Sequence, residues 1–334
     1  MEGNFVGKTY KESGVDVAAG NNFVKNIKDV VRETFTDSVL SDVGHFGAFF
    51  EPNFKGYTNP VLVSSVDGVG TKLKIAFMMN KHDTVGQDLV NHCVNDILVC
   101  GAKPLYFLDY FATGKLDGKV AESVIAGLAK ACKENGCSLI GGETAEMPSM
   151  YAEGEYDIAG TIVGVVEKSK IIKGQNIKRG DILVGLPSTG LHTNGYSLAR
   201  NVLFPKFTPF DIILDLQCTI GEELLKIHKS YLSVVNSIED HITIKGMSHI
   251  TGGGIVGNSM RVLPKGLQLK IDWASWERPY IFSLIQTTGE VPEEDMRQAF
   301  NLGVGLVIII DKNDLDKTIN LLSNENPIVM GEVF

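Results

Sequence analysis

The segment with the clearest chemical potential begins as a β-branched apolar run over residues 61–66, which predicts a buried strand. The run ends at Asp67, and the turn Gly68-Val-Gly70, Thr71 and Lys72 follow directly. Glycines let the backbone approach a ligand closely and point amide groups at it. A carboxylate, free amides, a hydroxyl and an ammonium group this close together suit Mg²⁺ and phosphate. The alternative is a plain strand and turn whose acid and lysine are solvated.

Three further acids stand where a carboxylate is costly. Asp96 falls at the apolar edge of a predicted helix, Asp109 lies inside an apolar strand, and Glu143 follows Gly141-Gly142 at a strand end. A carboxylate in such a place is destabilising by several kcal/mol unless it is paired or bound to a metal ion. Together with Asp67, these acids form a candidate site for Mg²⁺ and a nucleotide. The alternative is that each acid separately caps a helix or pairs with a lysine.

Two histidines of the second half are candidates for acid–base chemistry. His192 shares a polar, glycine-bounded loop with Asn194 just before a predicted helix, and such a helix N-terminus is a ready anion site. His249 precedes the glycine run 252–254, which is either a ligand loop or a structural turn. The remaining histidines, such as His82 and His228, are predicted to be surface or capping residues.

The composition is that of a globular protein and argues against several functions. The chain has 334 residues and is 44% hydrophobic, and this length suggests two domains. Its net charge of −9 disfavours nucleic-acid binding through a general basic surface. No apolar run approaches the roughly 20 residues that a membrane helix needs. The five cysteines show no Cys-x-x-Cys spacing, and the polar residues 1–13 do not resemble a secretory signal. We therefore expect reduced thiols and a cytoplasmic location.

The order of predicted elements indicates two mixed halves. Helices are predicted over residues 22–33, 84–100 and 120–134, and strands over 61–66, 105–112, 139–141, 157–167 and 305–310. The Lys- and Gly-rich region after residue 168 lacks periodicity, so we place the boundary there, between domains 1–168 and 169–334. Helices and strands do not alternate strictly, so the fold class is α/β in the broad sense, with mixed sheets of the α+β type.

The strand predicted near residues 157–166 is long and apolar. An exposed strand edge of this kind aggregates unless another surface covers it. We therefore expect the first half of the chain to form a homodimer.

Motifs from residue 10 to residue 333 resemble those of the phosphoribosylformylglycinamidine cyclo-ligases. The matching segments are residues 65–73, 93–97, 107–115, 141–148, 192–198, 249–254, 278–286 and 300–305. Thiamine-monophosphate kinase, selenophosphate synthetase and formylglycinamidine amidotransferase share acidic, glycine-rich ATP sites, but segments 192–198 and 278–286 favour the cyclo-ligase. The chain departs from the family pattern at His45, Ser149 and Met260, and none of these departures removes a candidate catalytic group.

The resemblance implies an ATP-dependent ring closure that turns formylglycinamidine ribonucleotide into aminoimidazole ribonucleotide and releases ADP and phosphate. ATP would phosphorylate the amide oxygen of the substrate, and the amidine nitrogen would then attack the activated carbon. The family fold has two α/β domains and dimerises through its N-terminal halves. The alternative from another class is a non-catalytic nucleotide-binding partner in a purine-pathway assembly.

The resemblance also implies roles for individual residues. Asp67, Asp96 and Glu143 would hold Mg²⁺, and the acid–base or substrate-binding residues would be His192, Asn194 and His249. The residues that would bind ATP are Lys28, Asp67, Gly68, Gly70, Thr71, Lys72, Asp96, Asp109, Gly141, Gly142, Glu143, Gly252, Gly253 and Gly254.

Overall fold

The computed structural model describes Thr9 and residues 13–334, so residue 10, where the family resemblance begins, lies outside the described residues. Over the residues described, the first half contains four strands and four α-helices: β1 (Pro60–Gly68), β2 (Lys103–Thr113), β3 (Ser138–Glu146), β4 (Tyr156–Glu167), α1 (Val17–Arg32), α2 (Leu73–Met79), α3 (Val85–Leu98) and α4 (Gly118–Glu134). The sequence predicted each of these strands, although β3 continues well beyond residue 141.

The second half contains the remaining described elements. Its strands are β5 (Ile182–Pro187), β6 (Ile212–Ile213), β7 (Cys218–Thr219), β8 (Ile244–His249), β9 (Leu269–Ile271), β10 (Val304–Ile310) and β11 (Ile328–Val333). Its helices are α5 (Tyr196–Leu203), α6 (Ile220–Leu224), α7 (Leu232–Ile238), α8 (Gly254–Met260), α9 (Tyr280–Gly289), α10 (Glu293–Ala299) and α11 (Leu315–Leu321). No strand pairing joins the sheet of one half to the sheet of the other in the described part of the chain.

Capping residues set the starts of the two long helices of the first half. Helix α1 begins earlier than the predicted residue 22 because the Asp16 carboxylate accepts hydrogen bonds from the backbone N–H groups of Ala18 and Ala19, each at 3.1 Å. Asp117 caps α4 in the same way. These caps fix α1 and α4, which pack beside each other on the sheet.

The sheet of the first half has the strand order β1-β4-β2-β3. β4 pairs with β1 on one side and with β2 on the other, so it is an interior strand. The expectation of an exposed edge at residues 157–166 was therefore wrong, because a run of apolar residues does not reveal the strand order. One face of the sheet is open instead, and the side chains exposed on it include Leu62, Val66 and Tyr110.

Helix α3 lies between the first-half sheet and the second half of the chain. Every residue of α3 except Asp96 is buried. The helix can approach α4 closely because a Cβ at Gly86 or at Gly127 would overlap backbone atoms of the facing segment. Its polar side chains face the second half: Asn91 Nδ2 donates to the carbonyl oxygen of His228 at 2.7 Å, and Asn95 Nδ2 donates to that of Lys229 at 2.8 Å. Helix α3 therefore carries polar groups into the contact between the two halves.

The second half is built on an antiparallel five-stranded sheet of order β8-β10-β5-β11-β9. Its interior strand β10 is buried along its whole length, as expected for a continuous apolar run. His249 ends β8, directly opposite Leu306 of β10. His249 therefore lies on the side of the second half that contacts α3.

All five cysteines are unpaired thiols. Within the described part of the chain, no helix is both long enough and apolar enough to cross a membrane.

Candidate active site

Four imidazole rings meet where α3 contacts the second half. We call this group the histidine cluster: His92 from α3, His192 and His228 from loops, and His249 from the end of β8. The four side chains are buried. His192 stacks on His228 with ring centroids 4.0 Å apart, and His228 Nε2 lies 2.9 Å from His249 Nε2. The prediction of His228 as a surface or capping residue was wrong, because the side chain faces α3 and not solvent.

Two of the predicted acids bind the ends of this cluster. Asp67 Oδ2 lies 2.8 Å from His92 Nε2, and Asp96 Oδ1 lies 2.9 Å from His249 Nδ1. Asp96 is also 3.7 Å from His92 Nε2, so the two carboxylates share a neighbour. The structure thus brings Asp67 and Asp96 together although β1 and α3 are separate in sequence.

The carboxylates and the imidazoles shift one another's pKa values. Burial raises the pKa of Asp67, but the hydrogen bond and charge of His92 outweigh it, and the net pKa lies below the usual value. Asp96 behaves in the same way beside His249. Burial opposes the charge on His92, yet Asp67 and Asp96 raise its pKa above the usual range. Both acids are therefore ionised at neutral pH.

His192 and His228 are neutral rings. Burial, together with the neighbouring cationic groups, holds the pKa of each well below its usual value. His192 Nε2 accepts a hydrogen bond from the backbone N–H of Thr189 at 3.1 Å, so its proton lies on Nδ1. Nδ1 is buried and has no protein partner. His192 therefore offers one unused N–H donor inside the cluster.

Lys72 does not face a phosphate site. Its ammonium group is fully buried, 2.9 Å from Asp88 Oδ1, and it also donates to the backbone carbonyl oxygens of Lys226 and His192. Burial lowers the pKa of Lys72, and Asp88 opposes that shift. The structure thus leaves the predicted ATP ligand Lys72 no donor for a phosphate, because its donors are already used inside the protein.

Two of the three predicted loop glycines also have their amides in use. Gly253 N–H donates to the carbonyl oxygen of Gln298 and Gly254 N–H to that of Thr251. Gly253 has a φ of 97°, and a Cβ at Gly254 would overlap the Arg297 carbonyl, so both positions require glycine for structural reasons. The prediction that the Gly252 amide donates to a phosphate stays a prediction.

The other residues of the first motif lie beside the cluster. Gly68 N–H donates to the Asp67 carboxylate at 2.7 Å, which orients that side chain. Gly70, with a φ of 62°, turns the chain so that Thr71 Oγ1 comes within 3.0 Å of Ser197 Oγ in the second half. Asn194 lies next to the cluster, with Nδ2 3.4 Å from Thr193 Oγ1.

A separate cavity of about 560 Å³ opens at the β3 side of the first half, between α1, the loop of residues 42–48 and the sheet. We call it the N-terminal pocket. The predicted nucleotide residues Asp109, Gly141, Gly142 and Glu143 line it. Lys28 lies at its rim, 3.5 Å from the lining residue Asp42. Burial, reinforced by the charge of Glu143, raises the pKa of Asp109 to about 7.

The structure separates Glu143 from the other predicted metal ligands. A row of paired residues crosses the four strands from Glu143 of β3 to the neighbour of Asp67 in β1. Its members are Glu143, Tyr110 of β2, Ala159 of β4 and Gly68 of β1. Three strand spacings correspond to about 14 Å, too far for direct ligands of one ion. The prediction that Asp67, Asp96 and Glu143 share a metal site is therefore wrong within one chain.

Sequence reasoning missed several residues of the site. His92 and Asp88 belong to the polar arc of α3, which a helical projection alone assigns to solvent. His228 lies in a segment without a recognisable motif. One signal was available for α3: the helix has polar residues on one side and an acid, Asp96, at its apolar edge, which is typical of a helix buried on both sides.

Two domain models of known protein families match the two halves of the chain. The N-terminal domain model of the AIR synthase related proteins matches residues 55–166, and the C-terminal domain model matches residues 178–334. The fold and the site thus define a two-domain AIR synthase related protein.

Curated relatives narrow the class further. The chain is 52% identical over 328 residues to the phosphoribosylformylglycinamidine cyclo-ligase of Thermoanaerobacter pseudethanolicus, covering 97% of each chain. It is 49% identical to the same enzyme of Thermodesulfovibrio yellowstonii, covering 95% of this chain and 93% of the relative. The chain belongs to the phosphoribosylformylglycinamidine cyclo-ligase family. It is an ATP-dependent ligase of purine biosynthesis that converts formylglycinamidine ribonucleotide into aminoimidazole ribonucleotide.

Solved structures share the fold at much lower identity. The hydrogenase maturation protein HypE in complex with ATP superposes with a TM-score of 0.67 at 16% identity, covering 96% of this chain and 87% of that chain. The thiamine-monophosphate kinase of Stenotrophomonas maltophilia superposes with a TM-score of 0.64 at 14% identity, covering 92% of each chain. At such identities the likeness extends to the fold alone, and it confirms the predicted two-domain architecture.

Proposed function

We propose that ring closure takes place at the histidine cluster, with the nucleotide held between that cluster and the N-terminal pocket. The observation that carries this proposal is the convergence of Asp67, Asp96 and four imidazoles from both halves of the chain. Convergent ionised and neutral titratable groups in the contact between two domains are typical of a catalytic centre.

The N-terminal pocket adjoins this centre through the sheet. Asp67, Gly160, Asp109 and Gly142 form one row across four strands. Asp109, in the pocket, is two strand spacings from Asp67, or about 10 Å. On this proposal the adenosine part of ATP occupies the pocket and its phosphates are directed toward Asp67 and Asp96. The cavity volume of about 560 Å³ is in the range of small-molecule sites.

Asp67 and Asp96 fit the role of Mg²⁺ ligands. Magnesium prefers carboxylate oxygens and retains several waters, so it needs ionised acids that solvent can reach. The lowered pKa values of both acids meet the first requirement, and side-chain exposures of 43% and 26% meet the second. Bound there, Mg²⁺ would neutralise charge on the nucleotide phosphates.

The neutral histidine His192 suits the reacting amide of the substrate. During phosphoryl transfer to the amide oxygen, charge develops on the transferred oxygens and must be stabilised by fixed donors. The unused Nδ1–H of His192 is such a donor, because it is buried and has no protein partner. On this proposal His249, held by Asp96, and Asn194 position the amidine nitrogen for attack on the activated carbon.

A matched pair of variants tests this role. His192→Ala should lower substrate-dependent ADP release by about 10²–10⁴-fold, the range for a lost acid–base group, while ATP still binds. His241→Ala removes an exposed histidine of the same half and should change neither quantity. Near-normal turnover in both His192→Ala and His249→Ala would show that the chemistry lies elsewhere.

We further propose that the chain is a homodimer joined through the open face of the first-half sheet. Leu62, Val66 and Tyr110 expose 58%, 67% and 39% of their surfaces there, and a groove of about 330 Å³ runs beside them. A sheet face with this much exposed apolar surface is typical of an interface. Val66→Glu should shift the sedimenting species from dimer to monomer, whereas Leu214→Glu, at an exposed position of the second half, should not. A wild-type chain that sediments as a monomer at micromolar concentration would refute the proposal.

The five unpaired thiols support the cytoplasmic location expected from the sequence, because free cysteines persist in reducing compartments.

A further inference from the structure

Lys72 and Asp88 form a fully buried ion pair at the contact between the two halves. Lys72 Nζ lies 2.9 Å from Asp88 Oδ1 and 2.8 Å from Oδ2. An ammonium group has three N–H donors. The other two point into the second half, toward the backbone carbonyl oxygens of Lys226 at 2.7 Å and His192 at 3.2 Å. The lysine therefore joins one helix of the first half to two loops of the second.

Asp88 makes the same connection from its own side. Its Oδ1 accepts a hydrogen bond from the backbone N–H of His228 at 2.7 Å. The pair thus makes hydrogen bonds to the backbone at residue 192 and at residues 226–228. These two segments carry the stacked rings of His192 and His228. Charge-assisted hydrogen bonds of this kind are stronger than neutral ones and hold their partners at defined distances.

The backbone that Lys72 holds is strained. His192 has a φ of 62°, in the left-handed region that a side chain rarely adopts. Such a conformation persists only where the surroundings over-determine it. The His192 carbonyl accepts from Lys72 Nζ and, at 3.0 Å, from the Tyr196 hydroxyl. These two donors fix the direction of the carbonyl and so hold the ring, with its free Nδ1–H, in its place on His228.

We propose that Lys72 and Asp88 are positioning residues that hold the backbone at His192 and so aim its ring at the substrate. The inference rests on the proposed role of His192 as a donor to the reacting amide. It differs from the phosphate-binding role that the motif of residues 67–72 predicts for Lys72, and the two roles have different kinetic consequences.

The test uses three variants: Lys72→Met, Asp88→Asn, and the double variant Lys72→Met/Asp88→Leu. The double variant leaves no buried charge unpaired, so it should fold even if a single variant does not. A displacement of catalytic groups by about 1 Å lowers turnover by about 10²-fold. We expect kcat to fall by about that factor in every variant that folds, with the Kd for ATP unchanged within about twofold. A weakened Kd for ATP in Lys72→Met but not in Asp88→Asn would overturn the inference in favour of a phosphate contact.

A second comparison separates this inference from the proposed function. In a His192→Ala background, Lys72→Met/Asp88→Leu should lower kcat no further, because the pair acts through His192. If His192→Ala lowers kcat and the pair variant lowers it again by the same factor, the inference fails and the role of His192 stands. If His192→Ala leaves kcat unchanged, the proposed role of His192 fails, and the inference fails with it. The Nδ1–H resonance of His192, followed by NMR in the double variant, should move or broaden. An unchanged resonance would also contradict the positioning role.

Discussion

Asp109 should make the protein less stable at neutral pH than it would be with an amide in the same place. The carboxyl lies at the N-terminal pocket, where burial and the charge of Glu143 raise its pKa from the ordinary value of 3.8 to about 7. In the unfolded chain the same group has its ordinary pKa. The folded state therefore keeps a proton that the unfolded state loses between about pH 4 and pH 7.

The sign and the size of the effect follow from proton linkage. Stability falls as pH rises wherever the folded state binds more protons than the unfolded state. The difference between the two pKa values corresponds to about 4 kcal/mol, fully developed above pH 7 and absent below pH 4. Asp109 is only partly buried and lines the pocket, so about 4 kcal/mol is an upper value. Asp109→Asn keeps the shape and removes the titration.

Urea unfolding at pH 4.5 and at pH 8.5 measures this difference. Asp109→Asn should have nearly the wild-type free energy of unfolding at the lower pH and exceed it by roughly 2–4 kcal/mol at the higher one. Asp215→Asn removes an equally negative but exposed side chain and should show no such crossover. Glu143→Gln should reproduce part of the gain, because the charge of Glu143 contributes to the shift. Equal stabilities of wild type and Asp109→Asn at pH 8.5 would show that the carboxyl ionises freely and that the burial argument is wrong.

The same variant bears on function. A carboxyl retained at a cost to stability is typical of a functional site, where activity and stability compete. Asp109→Asn should therefore bind ATP more weakly while unfolding less readily at pH 8.5. Unchanged ATP affinity would remove Asp109 from the nucleotide site that we propose.

Three further outcomes follow from single contacts. Asp96→Asn should impair Mg²⁺-dependent ATP turnover far more than folding, since the amide keeps the volume but loses the charge. A loss of several kcal/mol in stability with normal nucleotide use would indicate a purely structural ion pair. Gly160→Ala should lower the free energy of unfolding by about 1–3 kcal/mol, because the added methyl group overlaps the Phe107 ring, whereas Gly257→Ala, which meets no neighbour, should not destabilise. Asp16→Ala should cost about 1 kcal/mol through loss of the α1 cap, measurable by thermal unfolding, and an unchanged midpoint would contradict the capping role.

Local patterns predicted most of the first half. The apolar run before Asp67 did form β1, but the prediction that this strand is buried was wrong, because β1 lies at the edge of the sheet and none of its residues is buried. The helix predicted over residues 84–100 corresponds to α3 at Val85–Leu98. The acid at the apolar edge of α3, Asp96, did prove to be paired, with His249 across the contact between the halves. Each of these signals depends on residues close together in sequence, which is where periodicity and turn chemistry act.

Strand order and domain contact lie outside the reach of such signals. The sequence places Glu143 and Asp67 alike, each beside glycines at a predicted strand end. The order β1-β4-β2-β3 separates them, because it puts their strands at opposite edges of one sheet. The polar arc of α3 gave the same ambiguity, since polar residues at helical spacing face solvent or a polar domain contact equally well. Only the packed structure shows that Asp88 and His92 face the second half.

Lys72 shows how a motif can be correct while the structure gives one of its residues other contacts than the motif predicts. Acid, glycine, hydroxyl and lysine in succession are the groups of a phosphate loop, and the family that carries this motif uses ATP. Yet a lysine binds phosphate only if its donors reach the ligand, and those of Lys72 end on Asp88 and on two carbonyl oxygens of the second half. A buried charge with its donors fully used stabilises one arrangement of its neighbours, which for Lys72 is the arrangement of the histidine cluster. The contribution of such a motif can therefore lie in geometry as much as in ligand contact, and only the distances in the folded chain distinguish the two.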